Sequence, residues 1–273
     1  IDRSLVGSEM CIRDRLSVEE IAVISREYMN KVQFLFAGGF IIALAIQKWN
    51  LHKRVALNIL KFSGLNSRGI VASFMVASAV LSMWVMNTST AIMLLPVGIS
   101  VIKVISDTVN DVSDNHKFNF QLCLLLGIAY AASVGGIATP IGTSPNGVLI
   151  QFASNNYDYD IGFANWISIG LPITLGLGPL IWIFLTRIIF PVNFSATQES
   201  KEKLNLMLKE LGPMSNEEKK VIVVFLITAF FWIFRQLIDN LPGLSLLDDS
   251  VIAITGAVSL FFINESKNKN KLL

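Results

Sequence analysis

The segment Gly135-Gly136-Ile137-Ala138-Thr139-Pro140-Ile141-Gly142-Thr143-Ser144-Pro145-Asn146-Gly147 decides the fold class. Its four glycines and two prolines cannot continue a helix, because proline lacks the N–H and glycine favours non-helical backbone. Yet apolar sequence flanks it, and residues 118–153 contain no Asp, Glu, His, Lys or Arg. A surface loop or a simple proline kink is the plain alternative. The density of glycine, proline and hydroxyl groups points instead to a transmembrane helix broken at membrane depth. Unwound backbone is tolerated there only where it is buried in protein or lines a water-filled cavity. Broken helices of this kind mark the binding sites of membrane carriers.

Composition agrees with a membrane as the main solvent. Of 273 residues, 53% are hydrophobic and 15% charged, and the mean hydropathy is +0.59. Soluble domains carry about a quarter charged residues. A net charge of +2 gives no reason to expect a nucleic-acid partner, and two cysteines, Cys11 and Cys123, exclude a disulfide framework. Apolar blocks fall at residues 32–46, 70–86, 91–105, 118–135, 147–153, 163–190, 221–238 and 251–263. Only residues 163–190 comfortably exceed the roughly 20 residues of a spanning helix. The polar segments set orientation. Residues 47–69 hold Lys48, Lys53, Arg54, Lys61 and Arg68 without an acid, and residues 187–220 are also rich in Lys and Arg. Residues 154–162 and 239–250 contain aspartates but no Lys or Arg. The positive-inside rule places the first two on the cytoplasmic side and the last two outside. Residues 118–153 then cross once, while residues 70–105 cross an even number of times or enter and return. Residues 53–62 and 200–211 read as amphipathic helices lying on the cytoplasmic surface, the second stopped by Gly212-Pro213. Residues 1–15 lack helical or strand period. They read as a non-native or artefactual tail, with an ordinary polar N-terminal tail as the alternative, and stand outside the fold argument.

A second polar interruption, Met86-Asn87-Thr88-Ser89-Thr90, separates the apolar arms 70–85 and 91–105. A re-entrant hairpin with this run at its tip and an external loop between two short spanning helices both fit the spacing. In hydrocarbon an unsatisfied polar group costs several kcal/mol, so the hairpin needs a cavity or partners at its tip. The membrane blocks around both interruptions lack acids and histidines, and a proton-coupled carrier normally uses one. Hydroxyls, amides and helix N-termini can hold an oxyanion, and freed carbonyls can hold an alkali cation. Sodium coupled to a small anion follows as the expectation. A membrane enzyme finds no acid–base pair or ligand cluster here.

Three stretches, Leu35 to Arg54 (LFAGGFIIALAIQKWNLHKR), Ser82 to Pro96 (SMWVMNTSTAIMLLP) and Ala129 to Asn146 (AYAASVGGIATPIGTSPN), closely resemble the divalent anion:sodium symporter family. A fourth match runs from Leu211 to Arg235. The resemblance implies an all-α polytopic membrane protein in the cell membrane. It also implies an inverted-repeat transporter with a re-entrant hairpin (70–105) and a broken transmembrane helix (118–155). Around these it places a membrane helix with an interfacial helix (16–69), a transmembrane helix (163–190), a cytoplasmic amphipathic segment (197–217) and the start of a second half (218–263). Implied too are a homodimer, an elevator motion, a small dicarboxylate or other dianion as substrate, and sodium as coupling ion without another cofactor. The family's hairpin tips read Ser-Asn-Thr; Met86 stands where that serine would be, and its carbonyl remains able to serve. Carried over by position, Ser82, Met86, Asn87 and Gly142 bind sodium. Asn87, Thr88, Thr143 and Ser144 hold substrate, and Asn146 caps the second half-helix. Within the family, sulfate, citrate or dicarboxylate exchange are the alternatives; outside it, an antiporter for another ion or a non-transporting membrane subunit. No second hairpin or second broken helix follows residue 263, so the chain reads as a fragment holding the first half of a site, inactive in transport by itself.

Overall fold

The computed structural model describes residues 30–61, 64, 66–109, 112–238 and 248–263. The tail 1–15 and most of residues 239–250, expected outside the membrane, lie outside the described residues. Among the described residues ten α-helices follow one another: α1 Lys31–Lys48, α2 Leu51–Leu60, α3 Ser67–Ser82, α4 Asn87–Thr108, α5 Asp114–Gly135, α6 Ser144–Tyr157, α7 Phe163–Ile183, α8 Gln198–Glu210, α9 Asn216–Ile238 and α10 Asp249–Phe262. A 3-10 turn, Gly136–Ala138, extends α5, and a π-helical stretch, Phe184–Ile189, extends α7. Among the described residues there is no strand, only an isolated bridge between Asn66 and Ser195. Lys31–Lys48, Asn87–Thr108, Asp114–Ala138 and Phe163–Ile189 are long and apolar enough to span a bilayer, and Ser67–Ser82 and Asp249–Phe262 are shorter apolar helices. This is an all-α, multi-pass membrane protein.

Local chemistry sets the helix ends. Asn30 opens α1 with a capping box, its side chain accepting from Val32 N and Gln33 N while Gln33 returns a bond to Asn30 N. Asn50, at φ 54°, turns the chain from α1 into α2. The expected break at 135–147 is present, but the hairpin differs from expectation. Its turn is residues 83–86, and the Asn87-Thr88-Ser89-Thr90 run forms the first turn of α4. A helix start suits these residues, because its first N–H groups lack intrahelical partners and short polar side chains compete well there. The second arm is therefore 22 residues long, ending at Thr108. Helices are present over both segments read as amphipathic, as α2 and α8. Thr197 caps α8 with Ser200 at the third position, and Gly212 (φ 63°) follows its end.

Two packing groups flank the break. In the larger, α2, α3, α4 and α5 share one apolar cluster through Leu57, Phe74, Leu94, Val101, Leu124 and Ile128. At Gly135, α5 approaches α3 so closely that a Cβ would overlap the Ala79 backbone. In the smaller group, α1, α9 and α10 pack through Ile42, Ala45, Val221, Val224, Ala257 and Leu260. A third cluster joins the two groups, with Leu35 of α1, Ile141 of the break, Phe163 of α7 and Trp232 of α9. On the α8 side, Arg54 of α2 donates to the Leu211 and Gly212 carbonyls and pairs with Glu218 at 3.1 Å.

Candidate functional site

The break is stable because its freed carbonyls find partners. Thr174 Oγ1 on α7 donates to Val134 O (2.9 Å), and Trp166 Nε1 donates to Ile137 O (2.9 Å). Asn146 Nδ2, buried in the first turn of α6, donates to both Gly136 O (2.9 Å) and Thr139 O (2.8 Å). That corrects the sequence expectation for Asn146. It does not cap α6, whose N-cap Thr143 makes no side-chain cap bond; it reaches back to hold the end of the preceding half-helix. The reason is that the 3-10 turn and the bend at residues 139–143 bring the carbonyls of Gly136 and Thr139 beneath the new helix. Thr139 Oγ1 in turn donates to Met83 O in the hairpin turn, fastening the two interruptions together.

Asn87 stands at the junction. Its Oδ1 lies 2.7 Å from Ser82 Oγ, with Ala132 O at 3.1 Å and Gly142 O at 3.2 Å. Ser82 can donate to it, but the two carbonyls cannot, so oxygen faces oxygen. Turning the amide over lets Nδ2 donate to all three. That orientation satisfies the cluster without an ion; an inward amide oxygen would need a cation among the oxygens. These are hard ligands without formal charge. Ser82 ends α3 and Ala132 lies in the last turn of α5, so two helix C-termini point at this cluster. Each is equivalent to about half a negative charge, which together balances a monovalent cation better than a divalent one. Close backbone approach is a condition of the geometry. A Cβ on Gly142 would sit 2.6 Å from Gly136 O and 2.8 Å from Ser82 O, and one on Gly136 would collide with Asn87 Oδ1.

The same contact sets two helix N-termini side by side. Asn87 is the first residue of α4, and Gly142 directly precedes Thr143, the N-cap of α6. Neither N-terminus is capped by a side chain. Thr88 and Ser144 are exposed in these first turns, and Thr143 is half-buried. Of the residues expected to bind sodium, Ser82, Asn87 and Gly142 are brought together. Met86 is the N-cap of α4, exposed, with its carbonyl accepting from Thr90 N (2.9 Å). Sequence reading missed Ala132, and nothing in the sequence could have shown it, because it contributes a carbonyl that any residue would offer. It also missed Thr139, a hydroxyl beside Pro140 within the break.

The family described as "Sodium:sulfate symporter transmembrane region" matches residues 6–265. The chain belongs to this family. Its match begins within the 1–15 tail that composition set aside. The chain is 37% identical over 258 residues to the sodium-dependent dicarboxylate transporter SdcS of Staphylococcus saprophyticus, a match covering 94% of this chain and 49% of that relative. It is 36% identical over 251 residues to the transporter of the same name from Staphylococcus aureus strain USA300, covering 91% of this chain and 48% of the relative. The chain thus spans about half the length of the curated relatives it matches.

Proposed function

We propose that this chain supplies one ion- and substrate-binding half of a sodium-coupled symporter for a small dianion, with a C4-dicarboxylate such as succinate as the substrate. The observation that carries the proposal is the junction at Asn87. Two helix C-termini converge on an oxygen cluster there, and two uncapped helix N-termini start beside it. Ser82, Asn87, Ala132 and Gly142 supply oxygens to a sodium ion. Asn87 and Thr88 on α4, with Thr143 and Ser144 on α6, hold one carboxylate. Two N-termini together offer about one positive charge, which suits a single carboxylate. The second carboxylate of a dianion requires further groups. Because Asn87 belongs to both sets, an inward amide oxygen held by sodium leaves Nδ2 directed away from the cluster, free to donate to the anion. Sodium binding then orders the substrate site, which is the thermodynamic basis of symport.

The relatives' names support dicarboxylate as substrate and sodium as coupling ion. We further propose that α3, α4 and their turn form a re-entrant hairpin, and that the complete carrier is a homodimer that works by an elevator motion. Labelled succinate uptake by proteoliposomes containing the complete carrier should require an inward sodium gradient and be lost in Asn87→Ala. Residues 1–273 alone are expected to bind sodium without carrying out uptake. Uptake that continues in the absence of sodium would instead identify an exchanger.

A further inference from the structure

The hairpin turn is held from two sides. On one side Thr139 bonds Met83 O. On the other, Trp84 projects from the turn into a set of aromatic rings on α7 and α9. Its ring is close to parallel with that of Trp232 (6.3 Å between centroids, 9°) and of Phe163 (6.1 Å, 20°), and meets Phe225 edge-on (4.8 Å, 87°). The receiving surface is fixed. Phe163 and Trp232 stack on each other at 4.6 Å and are 1% exposed each. Trp232 Nε1 donates to Asp249 O at 2.9 Å, and Phe163 N donates to the Asp249 carboxylate at 2.8 Å. Three helices, α7, α9 and α10, thereby build one seat for a single side chain of the turn.

Trp84 follows Ser82 by two residues and precedes Asn87 by three, and the Ser82 hydroxyl and the Asn87 amide both line the cluster with Ala132 O and Gly142 O. A turn of four residues has little slack, so the place of the indole ring fixes the relative placement of Ser82 and Asn87. We propose that Trp84 is a positioning residue for the sodium site, holding the tip oxygens in register with Ala132 and Gly142 through its aromatic seat. The proposal rests on the sodium reading of the Asn87 cluster. It assigns α9, which contributes no residue to that cluster, an influence on sodium affinity.

The test is equilibrium binding of radioactive sodium to the purified chain in lipid nanodiscs, over a range of sodium concentrations, with thermal stability followed in parallel. Asn87→Ala should abolish saturable binding. Trp84→Ala should raise the half-saturating sodium concentration about tenfold at unchanged stoichiometry, the factor that about one aromatic contact is worth, the rest of the loss falling on stability. Trp84→Phe, which keeps a stackable ring, should stay within about threefold, and Phe225→Leu, which removes only the edge contact, should fall between. Should Trp84→Ala fail to fold, Trp84→Leu carries the same expectation. Saturable binding that survives Asn87→Ala overturns the sodium reading itself. Binding lost in Asn87→Ala but of unchanged affinity in Trp84→Ala or Trp84→Leu overturns the role of Trp84 alone, even if those variants melt at lower temperature.

Discussion

Asn146 provides the sharpest test of how the broken helix is held. Its Nδ2 is the donor to both Gly136 O and Thr139 O, at 2.9 and 2.8 Å, and the residue is 7% exposed. Asn146→Ala removes both bonds. Leaving a buried acceptor without a partner costs about 1–3 kcal/mol. Thr139 O keeps a partner in the Gly142 N–H (3.3 Å), so its share lies at the low end. The sum is about 2–4 kcal/mol. Asn146→Asp is expected to be worse, by about 1 kcal/mol or more, because an ionised carboxylate offers only acceptors to two carbonyls. Thermal unfolding in a mild detergent, followed by intrinsic fluorescence, reads the difference; about 2–4 °C per kcal/mol is the scale for a chain of this size. The order wild type, then Ala, then Asp is the prediction. An Asn146→Ala protein that melts with the wild type would refute the claim that this amide holds the break. An Asp variant as stable as the Ala variant would show that the nitrogen is not facing the carbonyls.

Three further outcomes are expected. Gly136→Ala should weaken sodium binding at least about tenfold, since its Cβ displaces Asn87 Oδ1, whereas Gly176→Ala and Gly178→Ala, whose Cβ positions meet open space, should bind as wild type. Arg54→Met should destabilise the chain by about 3 kcal/mol by stranding Glu218 and two carbonyls, and the double variant Arg54→Met/Glu218→Met should recover part of that loss, both read by thermal unfolding. Burial, then the nearby Lys53 charge, lowers the His52 pKa from 6.5 to about 4, with a hydrogen bond to Ile46 acting the other way. The folded state thus favours the neutral ring. Its stabilisation is complete above pH 6.5 and is lost as pH falls toward 4, by up to about 3 kcal/mol. His52→Gln should flatten stability across that window, and an unchanged slope would exclude His52 as its cause.

The sequence made the break legible because glycine, proline and hydroxyls are themselves the chemistry of a helix that stops. The family pattern, and not spacing, pointed to Ser82, Asn87 and Gly142, which the fold brings within contact of one another. What stayed hidden shares a physical cause. Ala132 acts through its carbonyl, and Asn146 looked like a helix cap because asparagine near a helix start usually is one. Only the three-dimensional path of residues 136–143 shows which carbonyls lie beneath it. The hairpin arm was read too short for a related reason. Polar residues signal a loop and a helix N-terminus alike, and Asn87 to Thr90 are the latter. Trp84 was passed over as one more aromatic in an apolar run, since its partners Phe163, Phe225 and Trp232 lie far along the chain.

The close approach of α5 to α3 at Gly135 has a bearing on how such a protein can drift over generations. The cluster takes a carbonyl from position 132, where side-chain identity is irrelevant to the ligand itself, but it keeps its spacing only while nothing larger than hydrogen stands at position 135 against the Ala79 backbone. A saturation scan would therefore be expected to tolerate small substitutions at the position that lends its carbonyl to the cluster. It should be unforgiving one helical turn away, at a residue that touches only another helix. Ranking positions by mutational sensitivity would lead away from the carbonyl of the cluster and toward the spacer that keeps it in place.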